Sequence, residues 1–163
     1  MQTTLKIATV LSWFNMIVWG FIAGIFALGA LFNRNFPLLI AAFLMGVTVL
    51  HSYAAMQLHK SLRNPQLPLS TQTPIGIRFI GFIAMFFGIL FLGDGLTALL
   101  KIKLVLDSMK GQIPPEYKNV DMAAYVKAAG VFLVVSGTCI AVNVILNFRL
   151  LGWYMFSKID AGK

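Results

Sequence analysis

Five candidate site residues lie inside long apolar stretches of the sequence, where a charge or an unmatched hydrogen-bonding group is costly. They are Asp94, His51, Asn15, Asn143 and Asn147. An ionisable or strongly polar group at bilayer depth is by default a candidate for binding a proton, an ion or a substrate. These five residues therefore form the candidate intramembrane polar site.

Asp94 is the one acidic residue within a predicted span, and it has a glycine on either side, Gly93 and Gly95. Glycine weakens a helix by about 1 kcal/mol relative to alanine, so the backbone could bend there while the carboxylate binds a proton or a cation. In the alternative arrangement the third span ends near Leu92, Asp94 lies at the interface, and residues 96–109 lie along the headgroups. We favour the interfacial arrangement.

Two histidines follow one face of the second span, His51 at depth and His59 beside Lys60 at the expected interface. The helical rise between them is about 12 Å, which is too far for both to ligate one metal ion. A haem would need a further ligand, such as methionine. We therefore expect no cofactor and no metal, and we expect His51 to hydrogen-bond across the helices.

Asparagines occur in the first and fourth spans, Asn15 in one and Asn143 and Asn147 in the other. Inside a membrane, such side chains join helices by hydrogen bonds worth a few tenths to about 2 kcal/mol each. With His51 they could instead line a narrow polar crevice, in which case all four face a common centre. We favour the structural role and keep the crevice as the alternative.

The motifs of known catalytic sites are absent from the sequence. It contains no HExxH, GxSxG or P-loop pattern, and no span contains two carboxylates that could act as acid and base. The single cysteine, Cys139, excludes an internal disulfide and a CxxC redox pair. We therefore lean against an enzyme or an electron carrier.

The composition requires a lipid environment. Of 163 residues, 59% are hydrophobic and 11% charged, and the mean hydropathy is +0.84; soluble domains are about 45–50% apolar and about 25% charged. A soluble fold would expose large apolar patches, and a disordered chain would be far more polar. The net charge is +8, but the basic residues lie at the ends of apolar runs and meet lipid headgroups there. Nucleic acid is therefore not an expected partner.

Four apolar segments are long enough to cross a bilayer, which takes about 20 residues. They cover residues 5–32, 37–58, 74–100 and 122–156. A proline-containing strap at 59–73 and a polar loop at 101–121 connect the later spans. We therefore predict an all-α, integral membrane four-helix transmembrane bundle with up-down topology, forming a single domain over 1–163.

Small residues mark the faces on which these helices should pack, because close approach, rather than the hydrophobic effect, drives helix association in lipid. Gly81, Gly88 and Gly95 repeat every seven residues along the third span. Gly20 and Gly24 form a GxxxG motif in the first span. We predict that all five glycines lie at contacts between helices.

An even number of spans places both termini on one side of the membrane. Lys and Arg residues number seven on that side and six on the other, so the positive-inside rule favours the cytoplasmic side by one residue. The first apolar run is longer than the hydrophobic core of a signal peptide, about 7–15 residues. With the absence of cysteine pairs, this favours a bacterial inner membrane.

Two functional hypotheses follow. The first is a structural or accessory membrane protein that binds lipids, a protein partner or further copies of itself and performs no chemistry. The second is a small oligomeric transporter or channel subunit that uses Asp94 and the intramembrane polar crevice.

Overall fold

The computed structural model describes residues 1–109 and 120–161, with side chains described as far as Lys158. Within these ranges the chain is helical and contains no strand. The helices are α1 (Gln2–Asn33), α2 (Phe36–Arg63), α3 (Gln72–Leu100), α4 (Ile102–Met109) and α5 (Met122–Ala161). The predicted all-α fold class is confirmed.

Four of these helices are long and apolar enough to cross a membrane, namely α1, α2, α3 and α5. They have 32, 28, 29 and 40 residues, whereas a span needs about 20. The predicted membrane protein with four spanning helices is confirmed. The predicted loop at 101–121 falls partly outside the described residues, and its described part contains α4.

The second helix continues five residues beyond the predicted end of its span and stops at Arg63. It stops there because Pro65 follows two residues later, and Asn64, the residue before this proline, avoids the helical conformation. Asn64 accordingly has extended backbone angles, φ −130° and ψ 94°. The strap between α2 and α3 is therefore shorter than the 59–73 predicted.

A tight turn joins α1 to α2. Arg34 ends α1 in the left-handed conformation, with φ 50° and ψ 40°. Asn35 then caps α2, because its side-chain oxygen accepts a hydrogen bond from the backbone N–H of Leu38 at 3.1 Å. Pro37 lies in the first turn of α2, where the missing N–H leaves no intrahelical bond unmade.

The chain divides into two compact units. The first unit comprises Met1–Met85 and Ile140–Lys163, and the second comprises Phe86–Cys139. Helices α3 and α5 each contribute residues to both units. The single domain expected over 1–163 stays a prediction.

The core of the first unit lies where α1 and α3 begin and where α2 and α5 end. Its buried residues are Leu5, Ala8, Leu58, Leu69, Ile77, Leu150, Leu151 and Tyr154. The strap is held to this core by one hydrogen bond, from the backbone N–H of Leu69 to the hydroxyl oxygen of Tyr154 at 3.1 Å. The ends of four helices thus pack around a segment that has no helix of its own.

In the second unit, α3 and α5 approach each other closely at glycines. A Cβ atom at Gly137 would lie 2.6 Å from the carbonyl oxygen of Gly88, and one at Gly95 would lie 2.8 Å from the carbonyl oxygen of Gly130. Both distances are too short for a side chain, and both neighbours are backbone atoms. Gly88 and Gly95 are accordingly buried.

The other predicted packing glycines belong to the first unit and differ in their surroundings. A Cβ atom at Gly81 would meet the Phe148 ring at 2.6 Å, and one at Gly20 would meet Val49 at 3.9 Å. Gly24 is exposed, and a Cβ atom there would meet nothing within 4 Å.

Candidate functional site

Buried hydrogen bonds connect α1 to α5 in the first unit. The amide nitrogen of Asn147 donates to the backbone carbonyl of Asn143 at 2.8 Å and to its side-chain oxygen at 3.0 Å. The hydroxyl of Ser12 donates to the same Asn143 oxygen at 3.0 Å. All three side chains are fully or almost fully buried. One amide oxygen of α5 therefore accepts from two helices.

His59 extends this network to α2. Its Nε2 atom lies 2.7 Å from the side-chain oxygen of Asn147. Because the amide nitrogen of Asn147 already donates to a backbone carbonyl, its oxygen must face His59 and can only accept. The Nε2 atom of His59 must therefore carry a hydrogen, and the neutral ring must have the Nε2–H tautomer.

Thr9 connects His59 to the surface. Its hydroxyl oxygen lies 3.2 Å from Nδ1 of His59 and 2.7 Å from the carbonyl oxygen of Leu5, and it accepts from Nη2 of the exposed Arg63 at 3.0 Å. A hydroxyl has one proton, so Thr9 can donate to Leu5 or to His59 but not to both. We name the chain of hydrogen bonds from Arg63 through Thr9, His59, Asn147 and Asn143 to Ser12 the polar network.

Outside this network, the first unit contains buried polar side chains whose nitrogen or oxygen atoms are unpaired. Both side-chain atoms of Asn15, both ring nitrogens of His51 and the hydroxyl of Ser52 have no hydrogen-bond partner. His51 is 1% exposed and lies near the backbone of Ile77 without meeting hydrogen-bond geometry. Unpaired buried polar groups of this kind cost about 1–3 kcal/mol each.

The ring of His51 is held by apolar and aromatic contacts. It packs edge-on against Phe148, with ring centroids 6.4 Å apart. Its Cε1 atom lies 3.0 Å from where a Cβ of Gly81 would be. The missing side chain of Gly81 is therefore what lets α3 approach the His51 ring.

The polar residues predicted from the sequence are thus placed in different surroundings. Asn143 and Asn147 are joined directly by a hydrogen bond. Asn15 and His51 are buried in the same unit but take no part in the network. Whether all four face one centre stays a prediction.

His59 belongs to the polar network, although the candidate site predicted from the sequence does not include it. It is 2% exposed, with Thr9 beside one ring nitrogen and Asn147 beside the other. The available signal was its spacing, because His59 follows Ala55 by four residues and His51 by eight and so lies on the same helix face as these two buried residues. Its expected position at the membrane interface stays a prediction.

Asp94 belongs to the second unit and is exposed. The helix is unbroken from Gln72 to Leu100, so the flanking Gly93 and Gly95 neither end it nor unwind it. Asp94 borders a groove of 460 Å³ between α3, α4 and the start of α5. It makes no ion pair with the basic residues that the structure describes.

The described residues offer no metal centre, since no group of three or more His, Cys, Asp or Glu side chains comes together among them. The two histidines make separate contacts: His59 belongs to the polar network, and His51 packs against Phe148. Cys139 is a free thiol, partly buried.

The end of the first unit is strongly cationic. Residues 1–85 and 140–158 contain no Asp or Glu. Lys6 and Arg63 line a surface groove of 430 Å³ together with the start of α1. Two further cations lie over aromatic rings, Arg149 over Trp153 at 4.8 Å and Lys158 over Tyr154 at 5.3 Å.

No family model matches the chain, and comparisons with curated proteins and with solved structures found no match.

Proposed function

We propose that the chain is a non-catalytic accessory protein of a membrane that binds anionic lipid headgroups at the cationic end of its first unit. The observation that carries this proposal is a set of basic residues in a unit whose described side chains, in residues 1–85 and 140–158, include no carboxylate. The set is Lys6, Lys60, Arg63, Arg78, Arg149 and Lys158. All six side chains are exposed.

The physical basis is electrostatic attraction at the membrane surface. Each Lys or Arg near an anionic lipid surface contributes about 1 kcal/mol of binding. Arginine can also hold a phosphate through two parallel hydrogen bonds, which lysine cannot. The groove beside Lys6 and Arg63 gives one headgroup access to both side chains.

This proposal also bears on orientation. The cytoplasmic leaflet is the anionic one, so a cationic end that contains both termini is favoured there. We therefore place both termini on the cytoplasmic side and the protein in a bacterial inner membrane.

A protein partner or a second copy of the chain would add to the mass of the particle, which can be measured in mild detergent.

Removal of two charges at the groove tests the lipid proposal. The double variant Lys6→Gln/Arg63→Gln should retain anionic phospholipid about 30-fold more weakly, because two contributions of about 1 kcal/mol are lost. The measurement is native mass spectrometry of protein purified from nanodiscs that contain phosphatidylglycerol and phosphatidylcholine.

The matched control removes the same charge from the second unit, in the variant Lys101→Gln/Lys103→Gln. It should keep the lipid retention of the unchanged protein. Equal retention in all three proteins, or an equal loss in both variants, would contradict binding at the cationic end.

A small transporter or channel subunit is the second candidate function, and the unpaired polar groups of Asn15, His51 and Ser52 favour it. In proteoliposomes an accessory protein should give no proton or potassium flux above protein-free vesicles. A flux that the variant His51→Leu abolishes would support transport and count against the accessory proposal.

A further inference from the structure

The second unit has a groove that is large enough for a small molecule. Its walls come from α3, α4 and the first turns of α5, and its lining includes Asp94, Ala98, Val105, Tyr125 and Leu133. Its volume of 460 Å³ lies within the range of about 300–1,000 Å³ that is usual for sites of small ligands.

The lining of this groove is apolar except at a few positions. Asp94 supplies a carboxylate, and Tyr125 supplies a ring with a hydroxyl. The hydroxyl of Thr97 is already committed, since it donates to the carbonyl oxygen of Gly93 at 2.8 Å. One negative charge therefore lies beside an apolar surface.

Asp94 is well placed to attract a cation. It lies six residues before the end of α3, which corresponds to about 9 Å along the helix axis. A carboxylate within a span is costly unless it is paired or hydrated. Among the described residues no basic side chain pairs with it, and its exposure leaves it open to a ligand.

These features select one class of ligand by elimination. The carboxylate of Asp94 repels an anion, and a small hydrated metal ion gains nothing from apolar walls. A zwitterionic phospholipid has a phosphate next to its ammonium group, which would bring a second anion towards Asp94. A molecule with an apolar body and a single positive charge gains from both the walls and the carboxylate.

We propose that this groove binds an amphipathic organic cation, with its apolar body between α3, α4 and α5 and its positive charge on Asp94. Tyr125 also lines the groove, and an aromatic ring is a second group that attracts an organic cation. Met109 and Met122, which also line the groove, have flexible side chains that adapt to apolar bodies of different shape. This site is independent of the lipid-binding end of the first unit.

Binding of tetraphenylphosphonium to the full chain in phosphatidylcholine nanodiscs tests the proposal. Equilibrium dialysis with the radiolabelled probe should show one saturable site per chain. Asp94→Asn should weaken binding at least tenfold, while Asp94→Glu should restore most of it. The neutral molecule triphenylphosphine oxide should bind the unchanged protein and the Asp94→Asn variant with equal affinity.

Two further variants make the result specific. Asp107→Asn removes the same charge from α4 at a position that does not line the groove and should leave the affinity unchanged. Ala129→Phe fills the groove from an exposed lining position. It removes no charge and should weaken binding of the probe at least tenfold.

Several outcomes would overturn the proposal. They are no saturable binding above empty nanodiscs, equal affinity of Asp94→Asn and the unchanged protein, or an equal loss in Asp107→Asn. Displacement of the probe by lysophosphatidylcholine as effectively as by a second organic cation would assign the groove to a lipid headgroup instead.

Discussion

Gly137→Ala is expected to lower the free energy of unfolding by about 2–3 kcal/mol. The added Cβ would lie 2.6 Å from the carbonyl oxygen of Gly88 and 2.9 Å from the backbone nitrogen of Leu92. Neither atom is the end of a flexible side chain, so α3 and α5 must separate within the second unit. The measurement is reversible unfolding in mixed detergent–SDS micelles.

The same substitution at Gly93 is the matched control, because it changes the same residue type in a spanning helix. A Cβ atom at Gly93 would meet nothing within 4 Å. Alanine is the better helix former by about 1 kcal/mol, so Gly93→Ala should be neutral or slightly stabilising. The two variants thus have opposite expected signs. A stable Gly137→Ala would show that α3 and α5 do not touch as described, and a destabilised Gly93→Ala would show that the space around Gly93 is not open.

Asn147→Leu is expected to cost about 2–3 kcal/mol of unfolding free energy, through a different mechanism. The substitution removes the acceptor of His59 Nε2–H and one of the two donors to the side-chain oxygen of Asn143. A buried group that loses its partner costs about 1–3 kcal/mol, and the hydrogen bond between helices itself adds up to about 2 kcal/mol. The control Thr138→Val, whose hydroxyl is exposed and bonds only within α5, should change stability by less than about 0.5 kcal/mol.

Two further measurements separate the network from general packing. A double-mutant cycle with His59→Leu should give a coupling energy of about 0.5–3 kcal/mol, as expected for side chains in contact. The chain has two histidines, so nitrogen NMR of the imidazole rings can identify the tautomer of His59. It should be Nε2–H in the unchanged protein and mixed in Asn147→Leu. An Nδ1–H tautomer would mean that the amide of Asn147 is oriented the other way.

The helices could be predicted from hydropathy, because a segment of about 20 apolar residues has few alternatives to a helix in lipid. Their ends were harder to predict. The sequence His59-Lys60-Ser61 is polar, yet it stays helical because the proline that ends α2 comes later, at Pro65. Polarity marks where a helix leaves the apolar region, whereas proline marks where it ends.

The packing glycines show what spacing alone cannot supply. Gly20 and Gly24 have the GxxxG spacing, but only at Gly20 would an added Cβ atom lie within 4 Å of a side chain of another helix. Gly137, in contrast, lies so close to α3 that a Cβ atom there would be 2.6 Å from the carbonyl oxygen of Gly88. The rotation of each helix about its axis decides which small residue meets a neighbour, and that rotation depends on all the helices packed together.

The polar site was predictable in part for the same reason. The i, i+4 spacing of Asn143 and Asn147 places them on one face of a helix, and the structure joins them by a hydrogen bond. The partners from other helices, Ser12 and His59, follow from how α1 and α2 are aligned against α5. That alignment is a property of the packed unit and leaves no local pattern in the sequence.

Helix α5 is longer than a membrane is thick. Its 40 residues have a length of about 60 Å, against about 40–45 Å for a bilayer with its headgroups. If α5 lies along the bilayer normal, about 15 Å of continuous helix stands in water beyond the lipid, and tilting of the helix shortens this projection. A protease added to sealed vesicles of known sidedness would cut whichever end projects on the outside, and the mass of the fragment would show which end that is.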